Sequence, residues 1–250
     1  MAVVNHDTRE VQFKIVYCGT PLGGKTTNLI YIHNRLAPAM RGDLASIATE
    51  QERTLFFDFL PVHPTIIAGY DTRFQLYSVP GQKIYGETRR IVLTGVDGIV
   101  FVADSDPART EANLEALEST REALDSLNRS FDRIPLFFQF NKRDLPNAMP
   151  PEEMDEMLGV KRPTFLASAA SGYNVFATLD AVTQKVLRDF HYRRRLRALR
   201  EAERAAEEAA AAAAASRQVT PAAALERTMR AEEAKGRTGA DSSSEVALGS

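Results

Sequence analysis

A glycine-rich stretch near the start of the chain has the residue types and spacing of a phosphate-binding loop. It runs from Gly19 to Thr26 with the sequence GTPLGGKT, which fits the pattern G-x-x-x-x-G-K-[ST]. Glycines let the backbone wrap closely, so that successive N–H groups and a helix N-terminus point at a phosphate chain. Lys25 would contact the β- and γ-phosphates, and the Thr26 hydroxyl would bind Mg²⁺. The predicted phosphate-contacting residues are Gly19, Leu22, Gly23, Gly24, Lys25, Thr26 and Thr27.

The segments on either side of this loop support that interpretation. An apolar, β-rich run from Val11 to Tyr17 predicts a strand before the loop. Leu29, Ile32 and Leu36 are spaced to share one face of a helix after it, and Pro38 ends that helix. A chance match of the glycine pattern is the alternative, and the flanking strand and helix argue against it.

A second motif points to the base of a nucleotide. The sequence NKRD occupies Asn141–Asp144, directly after the buried apolar run Leu136–Phe140. A carboxylate at Asp144 can accept hydrogen bonds from the ring N1–H and the exocyclic amine of guanine, which adenine does not offer. The stem of Lys142 would stack along the base, and Asn141 would tie this turn to the phosphate loop.

Small residues follow the next strand, where Ser168 and Ala169 fit a loop whose backbone N–H groups reach the guanine oxygen. This signal is modest by itself, because small residues are common at strand ends. The three motifs together favour GTP or GDP with Mg²⁺ as ligands. An ATP-dependent kinase or transport ATPase is an alternative that the NKRD sequence and the lack of a lid or second acidic motif disfavour.

Two further segments carry residues suited to hydrolysis of a γ-phosphate. Gly81 and Gln82 follow a predicted strand, where the Gly81 N–H can contact the γ-phosphate and Gln82 can orient the attacking water. In the loop before an earlier strand, Thr54 can ligate Mg²⁺ and Arg53 can neutralise charge in the transition state. For Arg53 an ordinary surface arginine is the alternative.

The elements that position these motifs alternate between strands and helices. The runs Val96–Ala103 and Leu136–Phe140 are too continuously apolar for half-exposed strands and suit a parallel sheet that is buried on both faces. The pattern predicts a doubly wound α/β fold, with a mostly parallel sheet and helices on both faces. The other predicted elements are strands at 55–60 and 164–169, a hairpin of 66–67 with 73–79, helices at 108–128, 150–158 and 176–190, and a loop at 40–52.

The composition changes near residue 190, which predicts a GTPase domain at 1–190 and a tail at 191–250. An alanine-rich sequence favours an exposed helix to about Ser216, and the polar sequence from Thr220 predicts disorder. Arginines cluster at the start of the tail. A weak contact with an anionic membrane surface or an acidic partner is one use for them, and a solvated, salt-bridged helix is the favoured alternative. The cluster consists of Arg193, Arg194, Arg195, Arg197, Arg200 and Arg204.

Bulk properties exclude several classes of protein. The 250-residue chain has a net charge of -2, which predicts no general attraction to nucleic acid. Its one cysteine, Cys18, excludes an internal disulfide and suits a reducing compartment; burial of this thiol is favoured over reactivity. The sequence has neither a signal peptide nor an apolar run near the roughly 18 residues that span a bilayer. These features predict a cytoplasmic protein.

Residues 10–190 resemble the MglA-type bacterial Ras-like GTPases. The resemblance rests on the segments FKIVYCG, GKTTNLIYI, ERTLFFDFLP, TRFQLYSVPGQ, GVDGIVFVADS and FNKRDLPNA. It implies that Arg53 is an intrinsic arginine finger, that Gln82 positions water, and that Thr26 and Thr54 hold Mg²⁺. It also implies a dimeric Roadblock-fold activator of the MglB type, and GTP-dependent recruitment of polarity or motility effectors at a cell pole.

Three features depart from the patterns of related GTPases. Ser78 stands where Ras-type proteins have aspartate, so Mg²⁺ binding should depend more on Thr26 and the phosphates. Pro21 stands where the family has glycine, and its ring removes one N–H close to where Gln82 and Arg53 must approach. The tail is an addition to the compact core. Because Pro21 puts hydrolysis in doubt, a hydrolysis-poor GTP-binding scaffold is the alternative to a GTP-hydrolysing switch.

Overall fold

A computed structural model of the chain describes residues 2–48, 53–59, 66–67, 69–79, 86–217, 225–226 and 228–231. The strands are β1 (Val3–Asn5), β2 (Glu10–Gly19), β3 (Ala45–Ala48), β4 (Arg53–Phe59), β5 (Ile66–Ile67), β6 (Tyr70–Ser78), β7 (Gly98–Asp104), β8 (Leu136–Asn141) and β9 (Thr164–Leu166). The helices are α1 (Lys25–Arg35), α2 (Gly86–Leu93), α3 (Thr110–Ser126), α4 (Pro151–Leu158) and α5 (Val175–Arg217).

One twisted sheet organises residues 1–190. Its strand order is β3-β4-β6-β2-β7-β8-β9, with β1 added to β2 and β5 added to β6. The pairs from β6 through β9 are parallel, whereas β3 and β4 join the edge as antiparallel strands. Every residue of β7 and β8 is buried, as the continuous apolar runs indicated. The predicted doubly wound, mostly parallel fold is confirmed.

Helices cover both faces of the sheet and form two hydrophobic cores. On one face, Leu29 and Ile32 of α1 pack with Val182 and Val186 of α5. On the other face, α2, α3 and α4 contribute Leu93, Leu117, Leu124, Met154 and Leu158. Both layers rest on β2 and β7, so the phosphate loop emerges from the most buried part of the sheet.

Cys18 belongs to the second core, where its side chain has no exposed surface. Burial raises the pKa of its thiol to about 12. The predicted buried, unreactive cysteine therefore agrees with the structure, because a thiol at this pKa stays protonated at neutral pH.

Several predicted elements differ from the structure. The predicted loop at 40–52 is wrong in part, because Ala45–Ala48 forms a strand that pairs with the start of β4. Arg53 and Thr54 consequently belong to β4, opposite Ala48 and Ile47, rather than to a preceding loop. Pairing with the aromatic β4 supplies the hydrogen bonds that keep this weakly patterned segment extended.

Two smaller differences concern the later elements. The predicted strand at 164–169 ends at Leu166, and Ala167–Ala169 already belong to the following turn. Helix α3 is present as predicted but spans Thr110–Ser126 rather than 108–128. Its buried side includes Ala116, Leu117, Thr120 and Leu124.

Contacts divide the chain into two compact units, residues 1–190 and 191–250. The predicted helix in the second unit is present up to Arg217, the last residue of α5, and its side chains from 191 to 214 are exposed apart from the half-buried Leu196. Residues 225–226 and 228–231 are also helical, which contradicts the disorder predicted for them, and the rest of the predicted disordered segment lies outside the described residues. No helix among the described residues is long and apolar enough to cross a membrane.

Candidate functional site

The candidate site lies at the carboxyl edge of the parallel strands. β2 ends in Gly19, β7 in Asp104 and β8 in Asn141, and these three strands are neighbours in the sheet. Register pairs Gly19 with Val102 and Asp104 with Asn141. Loops that follow adjacent parallel strands converge at one edge, which is where open α/β sheets bind ligands.

The phosphate loop has two positions that only glycine can occupy. Gly19 has a φ of +123°, and a Cβ there would lie 2.0 Å from the Val102 carbonyl oxygen. Gly24 has a φ of +98°, and a Cβ there would lie 2.2 Å from Nδ2 of Asn141. A side chain at either position would collide with the backbone of β7 or with Asn141, so glycine lets the loop lie close against both. A loop wrapped this closely at the start of a helix suits the phosphates of a nucleotide.

Lys25 is the first residue of α1 and is buried within the loop. Its Nζ donates hydrogen bonds to the carbonyl oxygens of Gly19 at 3.1 Å and Thr20 at 2.7 Å. The residue before it, Gly24, has no side chain to cap the first turn of the helix. The N–H groups in the first turn of this helix and the lysine ammonium together favour an anion.

Leu22, Thr26 and Thr27 line the rest of the loop and the first turn of α1. Leu22 adopts a left-handed conformation with a φ of 60°, and its side chain is 84% exposed. Thr26 is half-buried and Thr27 is exposed. The described residues contain no group of three or more histidines, cysteines and acids that could hold a metal. Of the two predicted Mg²⁺ ligands, Thr26 is the one whose side chain the structure describes.

Asn141 joins two loops of the site. Its Nδ2 donates to the Gly23 carbonyl oxygen at 2.7 Å, and its Oδ1 accepts from the Ala169 N–H at 2.8 Å. The side chain is buried, so both hydrogen bonds are shielded from water. One amide therefore sets the spacing between the phosphate loop and the loop after β9.

Lys142 is held by a residue that sequence analysis did not identify. Its Nζ lies 2.6 Å from Oδ2 of Asp104, whose side chain is fully buried. Asp104 is fixed in turn by Asn113 of α3, which accepts from its backbone N–H at 2.9 Å and donates to its carbonyl oxygen at 2.8 Å. The available signal was an acidic residue that ends an otherwise wholly apolar strand.

The other two residues of the NKRD turn, Arg143 and Asp144, face in different directions. Asp144 is exposed to solvent. Arg143 turns back into the protein, where its Nη1 donates to the Met149 carbonyl oxygen at 2.5 Å. Its backbone N–H donates to the Ala167 carbonyl oxygen at 3.0 Å. The turn is thus anchored on both sides, which leaves the Asp144 carboxylate facing solvent at the rim of the site.

The loop after β9 packs against α1. Ser168 and Ala169 are buried, and the Ser168 Oγ accepts from the Ser171 N–H at 3.3 Å. Gly172 has a φ of +85°, and a Cβ there would lie 1.9 Å from the ring of Tyr31. Only glycine lets the loop approach this helix closely.

A second residue missed by sequence analysis contacts the phosphate loop at its unusual proline. Nη2 of Arg109, in the turn after β7, donates to the Pro21 carbonyl oxygen at 2.8 Å. Pro21 lacks an N–H but keeps this acceptor. The arginine therefore restrains the phosphate loop at Pro21.

The residues predicted to act in hydrolysis are less fully described. Gly81 and Gln82 lie outside the described residues. Arg53 and Thr54 begin β4, and their side chains are also outside the described part. Ser78 is buried at the end of β6 and pairs with Tyr17, two residues before the phosphate loop.

A glycine phosphate cradle on a central strand, with an NKRD turn on a neighbouring strand, defines a P-loop guanine nucleotide-binding protein. The family model of the ADP-ribosylation factor family matches residues 2–190. The chain belongs to this family of small GTPases, which confirms the predicted class and its activity as a GTP hydrolase.

Curated relatives agree with this assignment. The mutual gliding-motility protein MglA of Myxococcus xanthus is 50% identical over 188 residues, which cover 75% of this chain and 96% of that protein. The small COPII coat GTPase SAR1 of Giardia intestinalis is 27% identical over 148 residues, 59% of this chain and 66% of that one. Mouse ADP-ribosylation factor-like protein 4D is 32% identical over 90 residues, 35% and 42% of the two chains. The resemblance to MglA-type GTPases is confirmed.

Proposed function

We propose that the chain is a GTP-hydrolysing switch that controls cell polarity or gliding motility. The observation that carries this proposal is the Asn141 bridge between the phosphate loop and the loop after β9, which couples the two loops suited to phosphate and base. The name of the M. xanthus relative, at 50% identity, supports the biological setting. The switch occupies a domain at 1–190, and 191–250 forms a separate tail.

The proposed roles in nucleotide binding follow from the chemistry of each group. Lys25 and the N–H groups of the phosphate loop hold the phosphates, and the Thr26 hydroxyl ligates Mg²⁺. The Asp144 carboxylate selects guanine, the stem of Lys142 stacks on the base, and the backbone at Ser168 and Ala169 contacts the guanine oxygen. Mg²⁺ held by these residues would neutralise phosphate charge during hydrolysis.

Hydrolysis transfers the γ-phosphoryl group to water and gives GDP and inorganic phosphate. In this proposal the Gly81 N–H contacts the γ-phosphate, Gln82 orients the water, Thr54 completes the Mg²⁺ ligands and Arg53 stabilises the transition-state charge. An arginine finger is worth roughly 10³–10⁵ in turnover, so the free protein is slow when Arg53 is not in place.

A dimeric Roadblock-fold activator of the MglB type is the proposed partner that brings Arg53 and Gln82 to the phosphate. The protein is cytoplasmic. With GTP bound, it concentrates at a cell pole and recruits polarity or motility effectors.

Single-turnover GTP hydrolysis, with and without an MglB-type protein, tests the switch. We expect slow basal turnover that rises sharply with the activator and is lost in Gln82→Leu. Arg53→Ala should abolish the stimulation while nucleotide affinity stays within about threefold, since an arginine finger acts on the transition state. Stimulated turnover that survives Arg53→Ala would refute the finger.

One observation favours the alternative of a hydrolysis-poor scaffold. Pro21 lies in the phosphate loop and is restrained through Arg109. A scaffold would bind GTP tightly and show flat turnover with or without activator, and Pro21→Gly would then restore hydrolysis. A switch that tolerates the proline would instead keep its stimulated rate in that variant.

A further inference from the structure

The helix beyond residue 190 carries four of its arginines in one row. Arg193, Arg197, Arg200 and Arg204 follow one another at intervals of four, three and four residues, which places them along one face of a helix. All four are exposed. At 1.5 Å per residue, the row extends over roughly 16 Å.

An apolar row runs directly beside these arginines. Leu196 is three residues after Arg193 and four before Arg200, so the apolar row of Tyr192, Leu196 and Leu199 borders the arginine row on the helix surface. Arg195 is three residues after Tyr192 and four before Leu199, so it borders the other side of the apolar row. Tyr192 is 64% exposed and Leu199 is 52% exposed. The segment therefore presents a narrow apolar strip to solvent, with cations along both of its borders.

Glutamates follow some of these arginines at helical spacing. Glu201 and Glu203 are four and three residues after Arg197 and Arg200, where ion pairs can form. Residues 191–204 nevertheless contain six arginines and two glutamates, a net charge of +4 when His191 is neutral. This excess of positive charge remains even where such pairs form, and the salt-bridged helix stays the alternative prediction.

We propose that this face binds the surface of an anionic lipid membrane. Guanidinium groups pair with lipid phosphates and carboxylates, while a tyrosine and two leucines can enter the boundary between headgroups and acyl chains. Three apolar side chains are too few to form the buried seam of a stable helix–helix contact. They suffice for shallow, reversible insertion that electrostatic attraction reinforces.

This membrane contact is independent of the nucleotide site. The match to the family model ends at residue 190, so residues 191–217 of α5 lie outside the matched GTPase domain. A failure of the membrane proposal would leave nucleotide binding and hydrolysis untouched. Conversely, a hydrolysis-poor protein could still bind the membrane.

Vesicle flotation of the full chain tests the proposal with phosphatidylcholine vesicles that contain 30 mol% or no phosphatidylserine. We expect binding only with phosphatidylserine, and loss of binding as salt rises from about 0.05 to 0.5 M, because salt shortens the Debye length. Each arginine near such a surface is worth about a fivefold change in affinity, so Arg197→Gln with Arg200→Gln should weaken binding about 25-fold.

A matched pair of variants tests the orientation. Arg194→Gln with Arg230→Gln removes the same charge from exposed positions away from the apolar strip and should weaken binding by less than about fivefold, through the long-range field alone. Leu196→Gln with Leu199→Gln leaves the charge intact and should also weaken binding. GTP affinity and helical circular dichroism should stay unchanged in all three double variants.

Three results would overturn the proposal. They are no flotation with phosphatidylserine at low salt, equal losses in the two arginine pairs, and binding to a DNA duplex or a polyglutamate peptide that exceeds binding to the vesicles. Equal losses would mean that the charge acts without a defined face. Preference for the soluble polyanions would assign the helix to a macromolecular partner instead.

Discussion

Lys142 and Asp104 form an ion pair 2.6 Å long between the ends of two neighbouring strands. The lysine side chain is 34% exposed, whereas the carboxylate is completely buried. A buried carboxylate is costly unless it is paired and hydrogen-bonded, and Oδ1 of Asp104 also accepts from the Asp106 N–H at 3.1 Å. The pair therefore fixes the direction of the lysine stem that is proposed to stack on the base.

Asp104→Asn keeps the shape of the side chain and removes its charge. We expect the affinity for GTP and GDP to fall about tenfold, because Lys142 loses the partner that orients it, and the free energy of unfolding to fall by about 1–3 kcal/mol. Fluorescent-nucleotide titration and urea denaturation measure the two effects. Asp125→Asn, an exposed carboxylate on α3, is the control and should change neither. Unaltered affinity in a destabilised Asp104→Asn protein would limit Asp104 to a structural role.

Asn141→Ala removes both hydrogen bonds that connect the phosphate loop with the loop after β9. Each broken buried bond costs about 1–3 kcal/mol, so nucleotide affinity should fall by about 30-fold or more. As the control, Asn147→Ala removes an exposed amide from the segment between β8 and α4 and should not measurably change nucleotide affinity. Equal affinities for the two variants would show that the loops hold their spacing without Asn141.

Gly172→Ala places a methyl group against the Tyr31 ring in a backbone conformation that favours glycine. We expect a loss of stability of about 2–4 kcal/mol, from steric overlap added to roughly 1 kcal/mol of backbone strain. Gly159→Ala is the matched control, because its φ is +59° but nothing lies within 4 Å of the added Cβ, so strain alone should remain. Thermal unfolding measures both.

A double variant separates the two contributions at Gly172. If overlap with the ring is the main cost, Tyr31→Ala should rescue part of the Gly172→Ala defect in a double-mutant cycle. Strictly additive losses would contradict the packing contact.

The buried thiol of Cys18 gives a pH dependence with a defined sign. Burial raises its pKa to about 12 from an ordinary value of 9.0, so the unfolded chain releases this proton first. The stabilising contribution is complete below about pH 9 and is lost as the pH rises toward 12. Urea denaturation of the wild type and Cys18→Ala across this range isolates the thiol, with a slope difference of up to about 1.4 kcal/mol per pH unit. Parallel curves, or rapid alkylation of the native thiol at pH 8, would contradict burial as the cause.

The sequence by itself determined the class of protein. The phosphate loop was recognisable because a strand, two obligatory glycines and a helix start are encoded within eighteen consecutive residues, Val11 to Asn28. The buried strands β7 and β8 were equally predictable, since a strand that is covered on both faces is almost wholly apolar. The NKRD turn indicated the base because it directly follows such a strand.

Tertiary structure alone decided how these motifs are held. Arg109 and Pro21 are 88 positions apart, and Asp104 meets Lys142 only because β7 and β8 are adjacent in parallel register. Strand β3 likewise depends on its antiparallel partner β4 rather than on its own residues. Local patterns encode backbone requirements within a segment, but which side chains meet across the sheet edge depends on strand order and register, which no single segment specifies.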